Sequence, residues 1–181
     1  MEQRYTRTAM VLHWLVAVLL LCQFSFGWYL NGIPRGVPAR GYYVNLHKST
    51  GILIGLLILV RLIWRLKHAP PSLPNTMPAW QRRAADASHR LLYVLMLMMP
   101  LSGYVASNFS KHGVNFFNSI KLAPWGSDDK LIYAFFNQTH KITSWLLLTL
   151  VILHVLAALK HLLVDRDNIF SRILPPHPAS R

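Results

Sequence analysis

Acidic residues are scarce in this sequence, with six Asp and Glu among 181 residues against 19 Lys and Arg. Cysteine is scarcer still. Cys22 stands alone, which excludes an internal disulfide framework and a Cys-based zinc or iron–sulfur site, and no Cys-x-x-Cys-His is present for covalent haem attachment. Charged residues make up only 14% of the chain, where soluble domains carry about 25%. The formal net charge of +13 would point to nucleic acid if the basic residues formed a stripe, but they punctuate long apolar runs instead. Apolar types account for 53% and the mean hydropathy is +0.31. The length allows one compact domain, and the composition is that of a small integral membrane protein.

Four apolar segments have the ~20 residues needed to cross a bilayer core as helix. They lie at about residues 9–30, 45–64, 89–107 and 140–163. Period-2 alternation is absent, and lipid cannot satisfy an open strand edge. The chain therefore reads as an all-α, four-helix transmembrane bundle occupying residues 1–174, with a frayed tail at 175–181. The first segment follows Arg4 and Arg7 but offers no small-residue cleavage site, so it reads as an uncleaved span rather than a signal peptide. Pro100 predicts a kink in the third span. Residues 108–139 read as a long loop whose aromatic side chains lie against the membrane interface.

Orientation follows from the basic residues near the helix ends. Arg4, Arg7, Arg61, Arg65, Lys67, Arg82, Arg83, Arg90, Lys160, Arg166, Arg172 and Arg181 fall on one side. Arg35, Arg40, Lys48, Lys111, Lys121, Lys130 and Lys141 fall on the other. The positive-inside rule then predicts both termini in the cytoplasm. Asp128 and Asp129 leave the outer side with a net charge of +5.

Ionisable groups within a membrane are costly and usually functional, and His13, His47, His89, His140 and His154 lie within or at the ends of spans. Any one imidazole could simply hydrogen-bond a neighbouring helix. Depth organises the set. His140 and His154 are 14 residues apart, about four turns and ~21 Å, so they leave one helix face. His47 lies at the outer level with His140, and His13 at the inner level with His154. Two facing imidazole pairs stacked along a four-helix bundle suit two bis-histidine haems. Zinc or copper would want more ligands converging on one centre.

Gly51, Gly55 and Gly103 fit either a flat ring close to the backbone or close helix packing. Met96, Met98 and Met99 fit axial ligation or adaptable packing. Arg61 and Arg65 fit propionate contact, lipid phosphate contact or snorkelling, and His89 either a propionate contact or a helix cap.

Several motifs together resemble the bacterial cytochrome b561 family. They are His13-Trp14, Leu46-His47-Lys48-Ser49-Thr50-Gly51, Val60-Arg61 through Arg65, and His89 through Leu92-Tyr93 to Pro100-Leu101-Ser102-Gly103. Thr139-His140-Lys141 and Leu153-His154 through Lys160-His161 to Asp167 and Arg172 complete the set. The resemblance spans nearly the whole chain and is weakest over residues 108–138. It implies a multi-pass protein of the bacterial inner membrane that binds two non-covalent haem b groups. His13, His47, His140 and His154 match the family's axial ligands, and His161 matches a histidine beside the quinone. Leu162 stands where a second consecutive histidine is common, and Ile169-Phe170 where Thr-Leu is usual.

The best-understood type in that family resembles a superoxide:ubiquinone oxidoreductase. The expected partners are accordingly membrane lipid, ubiquinone as electron acceptor, and superoxide or another small reductant as donor, with no nucleic acid. An inward electron path opposes an inside-negative potential at about 2.3 kcal/mol per 100 mV, so the donor must be strongly reducing. Superoxide is, and the net positive outer side attracts an anion. His161 is the candidate for proton handling at the quinone, with headgroup contact beside Lys160 as the plainer alternative. Two rival functions remain. One is the haem-bearing membrane subunit of a larger quinone-linked oxidoreductase with a soluble redox partner. The other is a non-redox membrane anchor.

Overall fold

The computed structural model describes residues 4–74 and 77–175; most of the tail expected at 175–181 lies outside them. Four long helices dominate: α1 (Arg7–Gly32), α2 (Pro38–Lys67), α3 (Ala79–Asn108) and α4 (Lys130–Lys160). Each is long and apolar enough to cross a membrane. Consecutive helices pack on one another, α1 on α2, α2 on α3 and α3 on α4, while α4 stands away from the backbones of α1 and α2. Tyr5 N donates to Arg172 O at 3.3 Å and Trp14 Nε1 to Ile173 O at 3.1 Å, so the start of α1 and the segment after α4 share one end of the bundle. That end is called here the terminal end and the opposite one the loop end.

The helices extend beyond the apolar runs. α2 begins seven residues before the expected start, with Pro38 in its first turn, where the missing N–H costs nothing. α3 begins directly after Pro78, ten residues early, through a stretch rich in Ala and Arg that forms helix readily but is too polar for a hydropathy count. The segment expected as a loop at 108–139 is corrected in the same way. Asp129 caps α4, its Oδ1 accepting from the backbone N–H groups of Leu131 and Ile132 at 2.8 and 3.0 Å. Helix therefore occupies residues 130–139 as well.

The rest of that segment holds a small antiparallel hairpin, β1 (Val114–Phe116) and β2 (Ile120–Leu122), turning through Phe117 and Asn118 at positive φ. Its edge is stitched to α2. Ser49 Oγ accepts from Phe117 N at 2.8 Å, Lys48 Nζ donates to Gly113 O at 2.7 Å, and Asn45 Nδ2 donates to Asn118 Oδ1 at 3.0 Å. The hairpin thus closes over the loop end.

α3 continues as helix through Pro100, whose ring lies against Gly55; a Cβ there would come within 3.0 Å of it. The buried layer of Val16, Ile54, Ile58, Leu92, Leu95, Met96 and Leu147 sits at mid-height. Leu147, fully buried, is seven residues from each of His140 and His154. Outward-facing Val11, Leu15, Val18, Leu56, Val94, Leu146 and Leu156 are exposed. That inverted surface is what lipid contact requires.

Candidate functional site

Two levels of histidine are built into the bundle. At the loop end, His47 on α2 faces His140 on α4 with ring centroids 6.4 Å apart. His140 Nδ1 donates to the carbonyl oxygen of Met99 at 2.8 Å. A carbonyl can only accept, so the proton sits on Nδ1 and Nε2 keeps its lone pair, the tautomer a metal ligand needs. Gly103 makes the approach possible, since a Cβ there would lie 3.0 Å from His140 Nδ1. His47 is held through its backbone, whose carbonyl accepts from Gln23 Nε2 at 2.8 Å, while Gln23 Oε1 accepts from Thr50. His47 Nδ1 is buried without a hydrogen-bond partner.

At the terminal end, His13 on α1 faces His154 on α4, again at 6.4 Å. The geometry brings together the four residues grouped by depth in the sequence, in the same two pairs. His89 joins this level, with its ring 5.5 Å from His154. Arg61 Nη2 donates to His13 Nδ1 at 2.9 Å, and the Arg61 and Arg65 guanidinium groups lie 5.3 and 5.8 Å from the centroid of the Tyr93 ring. Arg61 can only donate, so metal binding through His13 Nε2 requires the guanidinium to release Nδ1.

Residues 4–176 match the family described as prokaryotic cytochrome b561. The chain belongs to that family. It is 30% identical over 179 residues to cytochrome b561 homolog 2 of Escherichia coli (strain K12), which covers 95% of this chain and 92% of that protein. Cytochrome b561 homolog 1 of the same organism is 27% identical over 176 residues, covering 95% and 97% respectively. A Yersinia pestis protein called probable superoxide oxidase CybB is 26% identical over 184 residues, covering 97% and 98%. Membership makes this a multi-pass protein of the bacterial inner membrane that transfers electrons, and it implies haem b.

The residues present fit that cofactor. Two metal–imidazole bonds of about 2 Å, plus about 1 Å from each nitrogen to its ring centre, set facing imidazoles roughly 6 Å apart. Both cytochrome b561 pairs meet that spacing, whereas His89 and His154 at 5.5 Å fall short of it. The orphaned Nδ1 of His47 and the free lone pair of His140 add donor chemistry at the loop end. A cavity of about 1490 Å³ opens there and reaches His47, Met99, Gly103 and His140, ample for a bulky planar group. Its lining includes seven basic residues of the loop end, Arg35, Arg40, Lys48, Lys111, Lys121, Lys130 and Lys141, and one acid, Asp128.

Of the three glycines left open by the sequence, Gly103 backs the His140 ring, Gly51 faces Gln23 and Gly55 faces Pro100. Met99 contributes its carbonyl oxygen, which no side-chain motif could have announced. His161 lies apart from both pairs, in a π-helical turn (His161–Asp165) that continues α4. It borders a second cavity of about 280 Å³ with Asp165, Asp167 and Gln81.

Proposed function

We propose that this cytochrome b561 takes electrons from superoxide at the loop end and delivers them to ubiquinone at the terminal end. In this reading the loop end faces the periplasm and both termini are cytoplasmic, in keeping with the positive-inside count. His47 with His140, and His13 with His154, would in this reading each hold a haem b. When bound, the haems supply one-electron carriers at two depths of the bundle.

The observation that carries the reading is the gathering of seven loop-end cations around a cavity that is also lined by His47 and His140. Cations lining a low-dielectric cleft focus field lines and raise the encounter rate of a small anion, by about 10-fold to 1,000-fold in favourable cases. Superoxide is such an anion, and its electron leaves dioxygen behind. The relative called probable superoxide oxidase CybB supports the same donor. At the other end, His161 borders a cavity of its own, and an imidazole there suits proton delivery to a reduced quinone.

The test is direct. Pure protein should give two haems b per chain by pyridine haemochrome. In stopped flow, superoxide should reduce them and ubiquinone should reoxidise them. A single haem, or reduction no faster than spontaneous dismutation allows in both detergent and liposomes, would overturn the proposal.

A further inference from the structure

His161 is held by two carboxylates at once. Its Nδ1 lies 2.7 Å from Asp167 Oδ2 and 3.2 Å from Asp165 Oδ2. Carboxylates accept, so Nδ1 donates and Nε2 is left for another partner. The two acids are not equivalent. Asp165 is engaged by Lys160 Nζ at 2.5 Å. Asp167 is fixed by backbone alone, its Oδ1 accepting from Ile169 N at 3.0 Å and its own N–H donating to His161 O at 3.2 Å.

The backbone is shaped for this contact. α4 widens into the π-helical turn at His161–Asp165, and Arg166 then takes a left-handed conformation with φ of 49°. Such turns concentrate at functional sites, and a non-glycine residue in that region carries strain that the surroundings must support. The result returns Asp167 onto the imidazole six residues upstream. The adjoining cavity of about 280 Å³ is walled by the α2–α3 connector through Pro74, Met77 and Pro78. It is large enough for several waters, at about 30 Å³ each.

We infer that Asp167 is the positioning residue of a proton-delivery dyad, holding His161 as the Nδ1–H tautomer so that Nε2 passes protons from the cavity water to reduced ubiquinone. This rests on the quinone reading above. Two superoxide anions each give one electron and leave as dioxygen, and the quinone gains both electrons. The free Nε2 of that tautomer first takes a proton from the cavity water, giving an imidazolium that faces the Asp167 carboxylate. One quinone oxygen then takes this proton, the Nε2–H bond breaking as the O–H bond forms, and His161 returns to the Nδ1–H tautomer. The other oxygen takes its proton from water on the same side. An orienting carboxylate behind a histidine general acid serves this purpose by fixing ring direction and tautomer.

The experiment uses the full-length holoprotein, reduced and then mixed with either a short-chain ubiquinone or ferricyanide, which takes an electron and no proton. In Asp167→Asn the ratio of the ubiquinone rate to the ferricyanide rate should fall roughly tenfold or more, and Asp167→Glu should recover part of it. ¹⁵N-histidine NMR of the reduced protein, with the His161 signal identified by its loss in His161→Gln, should show Nδ1–H in the parent and a mixed tautomer in Asp167→Asn. An unchanged rate ratio, or a His161 tautomer indifferent to Asp167, overturns the inference while leaving the quinone reading intact. A parent protein that ferricyanide oxidises and ubiquinone does not overturns the quinone reading itself, and the inference with it.

Discussion

The imidazole of His140 rests on the α3 backbone at Gly103 and donates from Nδ1 to the Met99 carbonyl oxygen at 2.8 Å. One glycine therefore governs whether that ring keeps the tautomer and position a metal ligand needs. Gly103→Ala places a Cβ 3.0 Å from Nδ1, and such overpacking costs about 1–3 kcal/mol. It should weaken the loop-end haem selectively, seen as loss of one component in a redox titration. Gly55→Ala makes an equally tight contact, but with Pro100. It should lower the melting temperature without singling out either haem.

The pairing of ligands is open to substitution. His47→Ala and His140→Ala should each abolish the same low-spin spectral component, and His13→Ala and His154→Ala the other, because losing either axial imidazole ends bis-histidine ligation at that iron alone. His89→Ala should leave both components in place, since its ring stands only 5.5 Å from His154, too near for a shared metal. If His13→Ala and His47→Ala removed the same component, the two-level arrangement would be wrong.

Ser49 offers a test of the lid. It is fully buried, its Oγ donating to Asn45 O at 2.7 Å and accepting from Phe117 N at 2.8 Å. Ser49→Ala leaves the hairpin N–H without that acceptor, a cost of about 1–3 kcal/mol. Thermal unfolding should begin earlier, and the loop-end haem should exchange into apomyoglobin faster than the terminal-end haem.

The four spans and the depth order of the histidines were legible because both follow from periodicity and rise per residue. His140 and His154 are separated by almost a whole number of turns, so they share a face whatever the rest of the chain does. Hydropathy missed the helix at residues 79–88 because its side chains are largely polar, and at 130–139 because Asn137, Gln138 and Thr139 cut the apolar stretch Leu131–Phe136 off from the span that follows. The hairpin at 114–122 was invisible for another reason. Its strands are three residues each, too short to show alternation, and they are fixed by Asn45, Lys48 and Ser49 far away in sequence. The contacts of Met99 and Gly103 with His140 were unreadable in the same way, because a carbonyl oxygen and a missing Cβ leave no side-chain signature.

The charge at the loop-end cavity gives the sharpest test of the donor. Seven cations face one acid there, and Asp128 lies only 3.9 Å from Lys111, which it partly offsets. If these side chains steer an anion, reduction by superoxide should slow as ionic strength rises, because the Debye length contracts from about 30 Å at 0.01 M to about 8 Å at 0.15 M. Lys121→Glu with Lys130→Glu changes the local charge by four without touching either histidine pair. It should cut the second-order rate with superoxide by about tenfold or more at low salt, and by less at high salt. Reduction by a neutral donor such as a quinol should lose neither its rate nor its weak salt dependence. Lys121→Gln with Lys130→Gln should fall between the parent and the double reversal, since steering follows net charge rather than any single contact. Stopped-flow traces of haem reduction across a salt series measure all of these. A double reversal that left the superoxide rate and its salt slope untouched would assign the cations to lipid headgroups or to holding the cofactor, and would remove the electrostatic argument for superoxide.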